Sequence, residues 1–290
     1  MQVRGTRLTL MIFATFLSAC SPLRTFNTLV PKDRAGEAAV RGAAFGPHER
    51  QRLDLYRLRR EAGEERLPII VFLYGGSWQS GVREGYGFAG RALAAAGFLV
   101  AIPDYRLVPE VRFPAFLEDN AAAVRWLREN GARYGGDPDR IVLVGHSAGA
   151  YNAAMLALDP RWLGEDRRAV RGLVCLAGPY DFLPLDGPVT RAAFGQAPDL
   201  RATQPINFAS ADDPPALLLH GADDTTVYPR NSRRLAEMVR AAGGRAEVKL
   251  YPNVGHVGIL TALAKPLRGR APVLDDIVSF ARAATQAEAR

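Results

Sequence analysis

Apolar runs and helical segments take turns along most of this chain, and that alternation leaves few ways to fold it. LPIIVFLYGG (67–76) and GFLVAIPDY (97–105) are continuous apolar runs, as strands covered on both faces are. RIVLVG (140–145), VRGLVCLAG (170–178), PALLLHG (215–221) and AEVKLYP (246–252) read as further strands, and QRLDLYRL (51–58) alternates like a half-exposed one. Helical spacing occupies FAGRALAAAG (88–97), PAFLEDNAAAVRWLREN (114–130), residues 148–158, RNSRRLAEMVRAAGG (230–244) and VLDDIVSFARAA (273–284). Repeated strand–helix alternation predicts an α/β fold, a mostly parallel central sheet with helices on both faces. Residues 182–212, rich in Pro, Ala and Asp, break the rhythm and are expected as a small insertion over the carboxyl edge of the sheet.

One large domain, residues 46–290, suits a chain of 290 residues that is 48% hydrophobic and 23% charged, a composition that excludes a disordered protein. Its net charge of +7 does not make a nucleic-acid surface. The cations are nearly all arginines, scattered rather than clustered, with lysine only at Lys32, Lys249 and Lys265. No nucleic-acid partner is expected. Nothing in the sequence bears on oligomeric state.

The first residues belong to another class of signal. MQVRGTRLTLMIFATFLSAC has two arginines, a short apolar run and small residues before Cys20, which predicts a signal peptide over residues 1–19. Leu17-Ser18-Ala19-Cys20 resembles the lipobox of bacterial lipoproteins, which implies that Cys20 becomes the lipidated first residue. The expectation is a protein of the bacterial cell envelope, with the membrane as partner through its N-terminal lipid, facing the periplasm or the exterior. Cleavage removes Arg4 and Arg7 and no acid, which lowers +7 to +5. Residues 20–45 read as a tether. Cys175 is the one other cysteine, so lipidation of Cys20 leaves no intramolecular disulfide, and Cys175 is expected as an inert core residue.

Within VLVGHSAGAYNAA (142–154) a strand turns through two glycines into a helix, with a serine at the turn. Gly145-His146-Ser147-Ala148-Gly149 matches G-x-S-x-G, in which the glycines permit the sharp turn and the serine oxygen is left exposed at a helix N-terminus. Catalytic groups in such sheets sit beyond the carboxyl ends of the strands.

A serine hydroxyl becomes a useful nucleophile only when a base takes its proton and a carboxylate orients that base. Four histidines are available. In this strand order the acid and then the base follow the serine, which excludes His48 and His146. His220 ends a strand ahead of the candidate acids and reads as structural. His256, in YPNVGHVG after the last strand, remains. Acyl transfer also needs donors for a developing oxyanion. The amide of Ala148 is one candidate; FLYGGSW (72–78), where Gly75 and Gly76 let amides face a ligand, supplies the others.

Together these stretches, with PDYRL (103–107), YGGDPDRIVLVGHSAGA (134–150) and LLLHGADDTTV (217–227), resemble the α/β-hydrolase fold from about residue 50 to 285. The likeness is to the serine esterase and lipase branch with a His-Gly-Gly-x-Trp loop, aryl-formamidases and prenylcysteine methylesterases among them. It implies a carboxylic ester hydrolase needing no cofactor and no metal, with a small-molecule ester of small to medium acyl chain as substrate. The roles implied are Ser147 as nucleophile, His256 as base, and the amides of Gly76, Ser77 and Ala148 as the oxyanion hole. Its acid stands four residues after a strand-ending His and three before an apolar residue, which selects Asp224 and leaves Asp223 as a turn residue. Tyr74 stands where that family usually has histidine, a buttress of the loop. Trp78, Phe182 and Phe194 are candidates to line an apolar pocket. An aryl-formamide amidase would use the same triad, and a non-catalytic envelope scaffold would have no need of all three residues.

Overall fold

The computed structural model describes residues 22–59 and 65–286. Its strands are β1 (Gly36–Ala44), β2 (Arg52–Leu58), β3 (Leu67–Leu73), β4 (Leu99–Pro103), β5 (Gly136–His146), β6 (Val170–Leu176), β7 (Ala216–Gly221) and β8 (Ala246–Tyr251). They form one sheet in the order β1-β2-β4-β3-β5-β6-β7-β8. Pairing is parallel from β4 through β8 and antiparallel where β2 meets β4 and β1 meets β2. The fully apolar strands lie centrally: Ile69 to Leu73, Ile141 to Val144 and Leu173 to Leu176 are all buried. The mostly parallel sheet is as the alternation of segments predicts, and the whole is the α/β-hydrolase fold that the resemblance implies.

The helices are α1 (Pro22–Leu29), α2 (Gly87–Ala95), α3 (Ala115–Asn130), α4 (Ala148–Leu158), the short α5 (Pro160–Leu163), α6 (Pro188–Phe194), α7 (Arg230–Ala241), α8 (His256–Thr261) and α9 (Val273–Gln286). Every residue of α4 is buried, as expected of a helix apolar all round. That helix carries the serine turn on its first turn, so the turn is mounted on the most enclosed helix of the molecule. Among the described residues no helix is long and apolar enough to cross a bilayer.

Residues 182–212 carry α6 and two 3-10 turns. They lie across the carboxyl edge, held by Phe113 N to Ala193 O at 2.9 Å, Ile206 N to Tyr180 O at 3.2 Å and the Tyr151 hydroxyl to Thr203 O at 2.7 Å.

The segment expected as a tether, 20–45, needs correction. From Pro22 onward it is folded: α1 packs on the body, and β1 is the edge strand of the sheet, paired with β2 from Gly36↔Leu58 to Ala44↔Arg52. GEAAVRGAA hides this because its residues are small and two register shifts interrupt its alternation. Gly42, at φ 65°, sits at one of the irregularities and donates its amide to Asp54 Oδ1 at 2.8 Å. Residues 1–19 and Cys20, the expected signal peptide and lipidation site, lie outside the described residues.

Candidate active site

Ser147 follows β5 with φ 55° and ψ −123°, a strained conformation for a residue with a side chain. Close packing around it enforces the turn. A Cβ on Gly145 would meet Gly149 O at 2.2 Å, and one on Gly149 would meet Leu73 O at 2.0 Å, so both flanking glycines are sterically required. The Ser147 amide is tied to Leu176 O at 2.9 Å, and its carbonyl accepts from the amides of Ala150 and Tyr151.

Three residues that follow three different strands, β5, β7 and β8, converge here. Ser147 Oγ lies 2.9 Å from His256 Nε2, and His256 Nδ1 lies 2.7 Å from Asp224 Oδ2. An ionised carboxylate only accepts, so Nδ1 carries the proton and Nε2 is free to accept from the serine hydroxyl. His256 is the first residue of α8 rather than part of an open loop. Asp224 is buried, which alone would raise its pKa; hydrogen bonds from His220, His256 and the Val227 amide outweigh burial and hold the carboxyl well below the ordinary range.

Asp224 also makes the turn that the sequence assigns to Asp223. Its Oδ1 accepts from the amides of Thr226 and Val227, each at 2.9 Å, as an Asx side chain does. Asp223 is exposed beside it. One carboxylate thus orders its own loop with one oxygen and the imidazole with the other.

The two other histidines of the region each hold part of this hydrogen-bonded series. His220 donates Nε2–H to Val227 O at 2.8 Å, with Asp224 Oδ2 at 3.3 Å, while Nδ1 accepts from the Ser232 hydroxyl at 2.8 Å. His146 points away from Ser147 and donates Nε2–H to the main-chain carbonyl of His256 at 3.0 Å. Its position inside the serine motif was visible in the sequence; its partner, 110 residues away, was not.

The loop after β3 closes over the serine. A Cβ on Gly75 would come within 2.8 Å of Ser147 Cβ. Gly76 has φ 130°, and Ser77 and Trp78 take left-handed φ of 57° and 58°. The amides of Gly76, Ser77 and Ala148 donate to nothing among the described residues. Trp78 pins the loop from inside: its carbonyl accepts from Val108 N at 2.8 Å and its indole donates to Asn152 Oδ1 at 3.1 Å.

Tyr74 stacks between Tyr86 and Tyr105, with ring centroids 5.0 and 4.9 Å away. Its hydroxyl donates to Asp104 Oδ1 at 2.6 Å and accepts from Arg50 Nη2 at 2.9 Å. Burial, then the neighbouring Asp104, raises its pKa well above the usual phenol range, so it stays neutral. Around it the Tyr105 hydroxyl holds Tyr74 O at 2.9 Å and the Tyr86 hydroxyl holds Gly75 O at 3.3 Å.

The pocket candidates separate. Phe194 is 0% exposed and Trp78 3%, and they meet edge to face at 4.8 Å beside Tyr151; they are interior packing between the insertion and α4, not a free wall. Phe182, partly exposed, is the one that keeps surface. Cys175 is fully buried, and burial pushes its thiol up to about 12, as an inert core residue requires. A cavity of about 900 Å³ lined by Arg167, Pro215, Arg245 and Phe280 lies at the amino ends of β6–β8, away from Ser147.

Comparison with known proteins fits this geometry into a family. The family model described as BD-FAE matches residues 53–239, from β2 into α7. The chain belongs to the BD-FAE family. The BD-FAE match takes in Ser147 and Asp224 and ends before His256. An isoprenylcysteine alpha-carbonyl methylesterase of Arabidopsis thaliana is 30% identical over 84% of this chain and 62% of its own length. Esterase LipC of Mycobacterium tuberculosis is 30% identical over 74% of this chain and 59% of its own. The chain therefore spans about three fifths of these curated relatives. Among solved structures, esterase B of Lactobacillus rhamnosis superposes with a TM-score of 0.79 at 20% identity, covering 91% of this chain and 90% of that one. A thermostable carboxylesterase from a metagenomic library gives 0.74 at 23% identity, over 91% and 94%.

Proposed function

We propose that the chain is a serine carboxylic ester hydrolase whose triad is Ser147, His256 and Asp224. The observation that carries this is the unbroken hydrogen-bonded series from Ser147 Oγ through the His256 ring to Asp224. Relatives named methylesterase and esterase favour an ester as the bond cleaved.

Ser147 Oγ attacks the ester carbonyl carbon as its proton passes to His256 Nε2, and the carbonyl oxygen takes up the negative charge. The amides of Ala148, Gly76 and Ser77 face that oxygen; a single such donor is worth about 10²- to 10³-fold in kcat. Asp224 stabilises the imidazolium and fixes its orientation. His256 then gives the proton to the departing alkoxide, leaving an acyl group on Ser147. Water enters, loses a proton to the same Nε2 and attacks the acyl carbon. Collapse of the second tetrahedral species returns that proton to Ser147 Oγ and frees the acid.

With Trp78 and Phe194 consumed in packing, the acyl site is read as suited to small and medium chains. A lipid on Cys20 holds the enzyme in the cell envelope. The test is a series of p-nitrophenyl esters of rising chain length beside an aryl formamide. The proposal expects the highest kcat/KM on a short or medium ester; a formamide cleaved faster than every ester would transfer the reading to an amidase.

A further inference from the structure

The segment from Pro22 to Asp33 belongs to the body of the protein, and this limits where anything attached to Cys20 can sit. Cys20 precedes α1 by two residues, a span of at most about 7 Å. A free tether of residues 20–45 would have wandered about 28 Å and left the orientation open.

α1 is fixed at one place. Phe26 meets Phe88 edge to face at 5.2 Å, Asn27 Nδ2 donates to Glu84 O at 2.8 Å, and Asn27 Oδ1 accepts from Phe88 N at 2.8 Å. Its first turn lies over Gly85, where a Cβ would sit 3.7 Å from Arg24. Residues 83–86 are the turn that leaves the oxyanion loop, and Tyr86 reaches back to Gly75 O. The start of α1 is thus beside the turn that follows the carboxyl end of β3, within that reach of Cys20.

Two of the exposed apolar side chains flank His256 and Asp224 at the carboxyl edge of the sheet. Leu29 on α1 is 77% exposed, Val257 beside His256 60%, and Tyr228 just after the Asp224 turn 53%; among the described residues Met238, at 46%, is the other large one. Asp33 pairs with Arg268 at 3.0 Å, joining the N-terminal segment to the turn that follows α8. The two joined segments expose Arg24, Arg34, Lys265 and Arg270. Tyr228 and Val257, with the exposed cations of these two segments, suit an anionic lipid surface.

We propose that the lipid on Cys20 docks the enzyme with the carboxyl edge of its sheet against an anionic bilayer, so that the active-site mouth opens toward amphiphilic esters held at that interface. The proposal rests on the lipid-anchored esterase reading above.

The test uses the full acylated chain on vesicles of phosphatidylethanolamine and phosphatidylglycerol carrying nitroxide-labelled lipid. Single cysteines replace Tyr228, Val257 or Arg245 and take an environment-sensitive fluorophore; buried Cys175, its thiol pushed up to about 12, does not compete. Arg245 precedes β8, about 20 Å from the mouth along a six-residue strand. Labels at 228 and 257 are expected to be quenched and the label at 245 spared. A chain that carries no acyl group and stays off the vesicles overturns the anchor, and the orientation with it. An acylated, vesicle-bound chain whose three labels are quenched alike, or that at 245 most, keeps the anchor and overturns the orientation. Hydrolysis of p-nitrophenyl acetate in solution reads the esterase itself, whichever way the molecule sits.

Discussion

His146 donates its Nε2–H to the main-chain carbonyl of His256, so the residue beside Ser147 holds the backbone of His256 at 3.0 Å. Burial first, and the nearby His256 second, push the His146 pKa down to about 3. The unfolded chain protonates this imidazole below about 6.5, whereas the folded chain resists until about 3. Stability therefore falls as pH drops through that window, by up to about 1.4 kcal/mol per pH unit. His146→Gln, which keeps a donor for the carbonyl, removes this component. Urea midpoints measured at about pH 7 and about pH 4.5 should differ less for the variant than for the parent; equal differences would show that His146 does not carry the effect.

Asp224→Asn keeps the shape of the turn but favours the wrong imidazole tautomer, which costs about 10⁴ in turnover in the serine protease where it was worked out. A loss of kcat of that order is expected with the fold intact by circular dichroism. Asp223 is exposed and Asp224 gathers the turn amides, so Asp223→Asn should leave both kcat and melting temperature nearly unchanged.

The strand–turn–helix, its serine and its histidine were legible because each is set by local residue type: glycines where backbones touch, and a histidine placed after the last strand. What the sequence hid depends on distant partners. β1 is a strand because β2 offers it an edge, not because Ala and Gly favour one. Phe194 looked like a pocket wall and is core, since its exposure is decided by how the insertion closes on Tyr151. Adjacent aspartates differ only in which one the loop turns inward, and the sequence assigned the turn to the wrong member of the pair.

Tyr74 acts as a prop. Tyr74→Phe keeps the ring between Tyr86 and Tyr105 but strips Asp104 and Arg50 of a buried partner, a loss of about 1–3 kcal/mol in stability. Its kcat/KM should change by no more than about tenfold, or about 1.4 kcal/mol. A thousandfold fall, the scale of a lost oxyanion donor, would place the hydroxyl in the transition state.

Gly75→Ala puts a methyl group 2.8 Å from Ser147 Cβ and 2.9 Å from His146 O. The loop must retreat from the serine, carrying the amides of Gly76 and Ser77 with it. A loss of about 10²-fold or more in kcat is expected, with KM for a short ester changed far less. An unchanged kcat would mean that this loop does not face the oxyanion.

Whether Ser147 is the nucleophile is read by intact-mass analysis after exposure to an alkyl fluorophosphonate probe. The parent should gain the mass of one adduct, mapped by peptide digestion to Ser147, and Ser147→Ala should gain none. An adduct of the same stoichiometry on Ser147→Ala would contradict the mechanism.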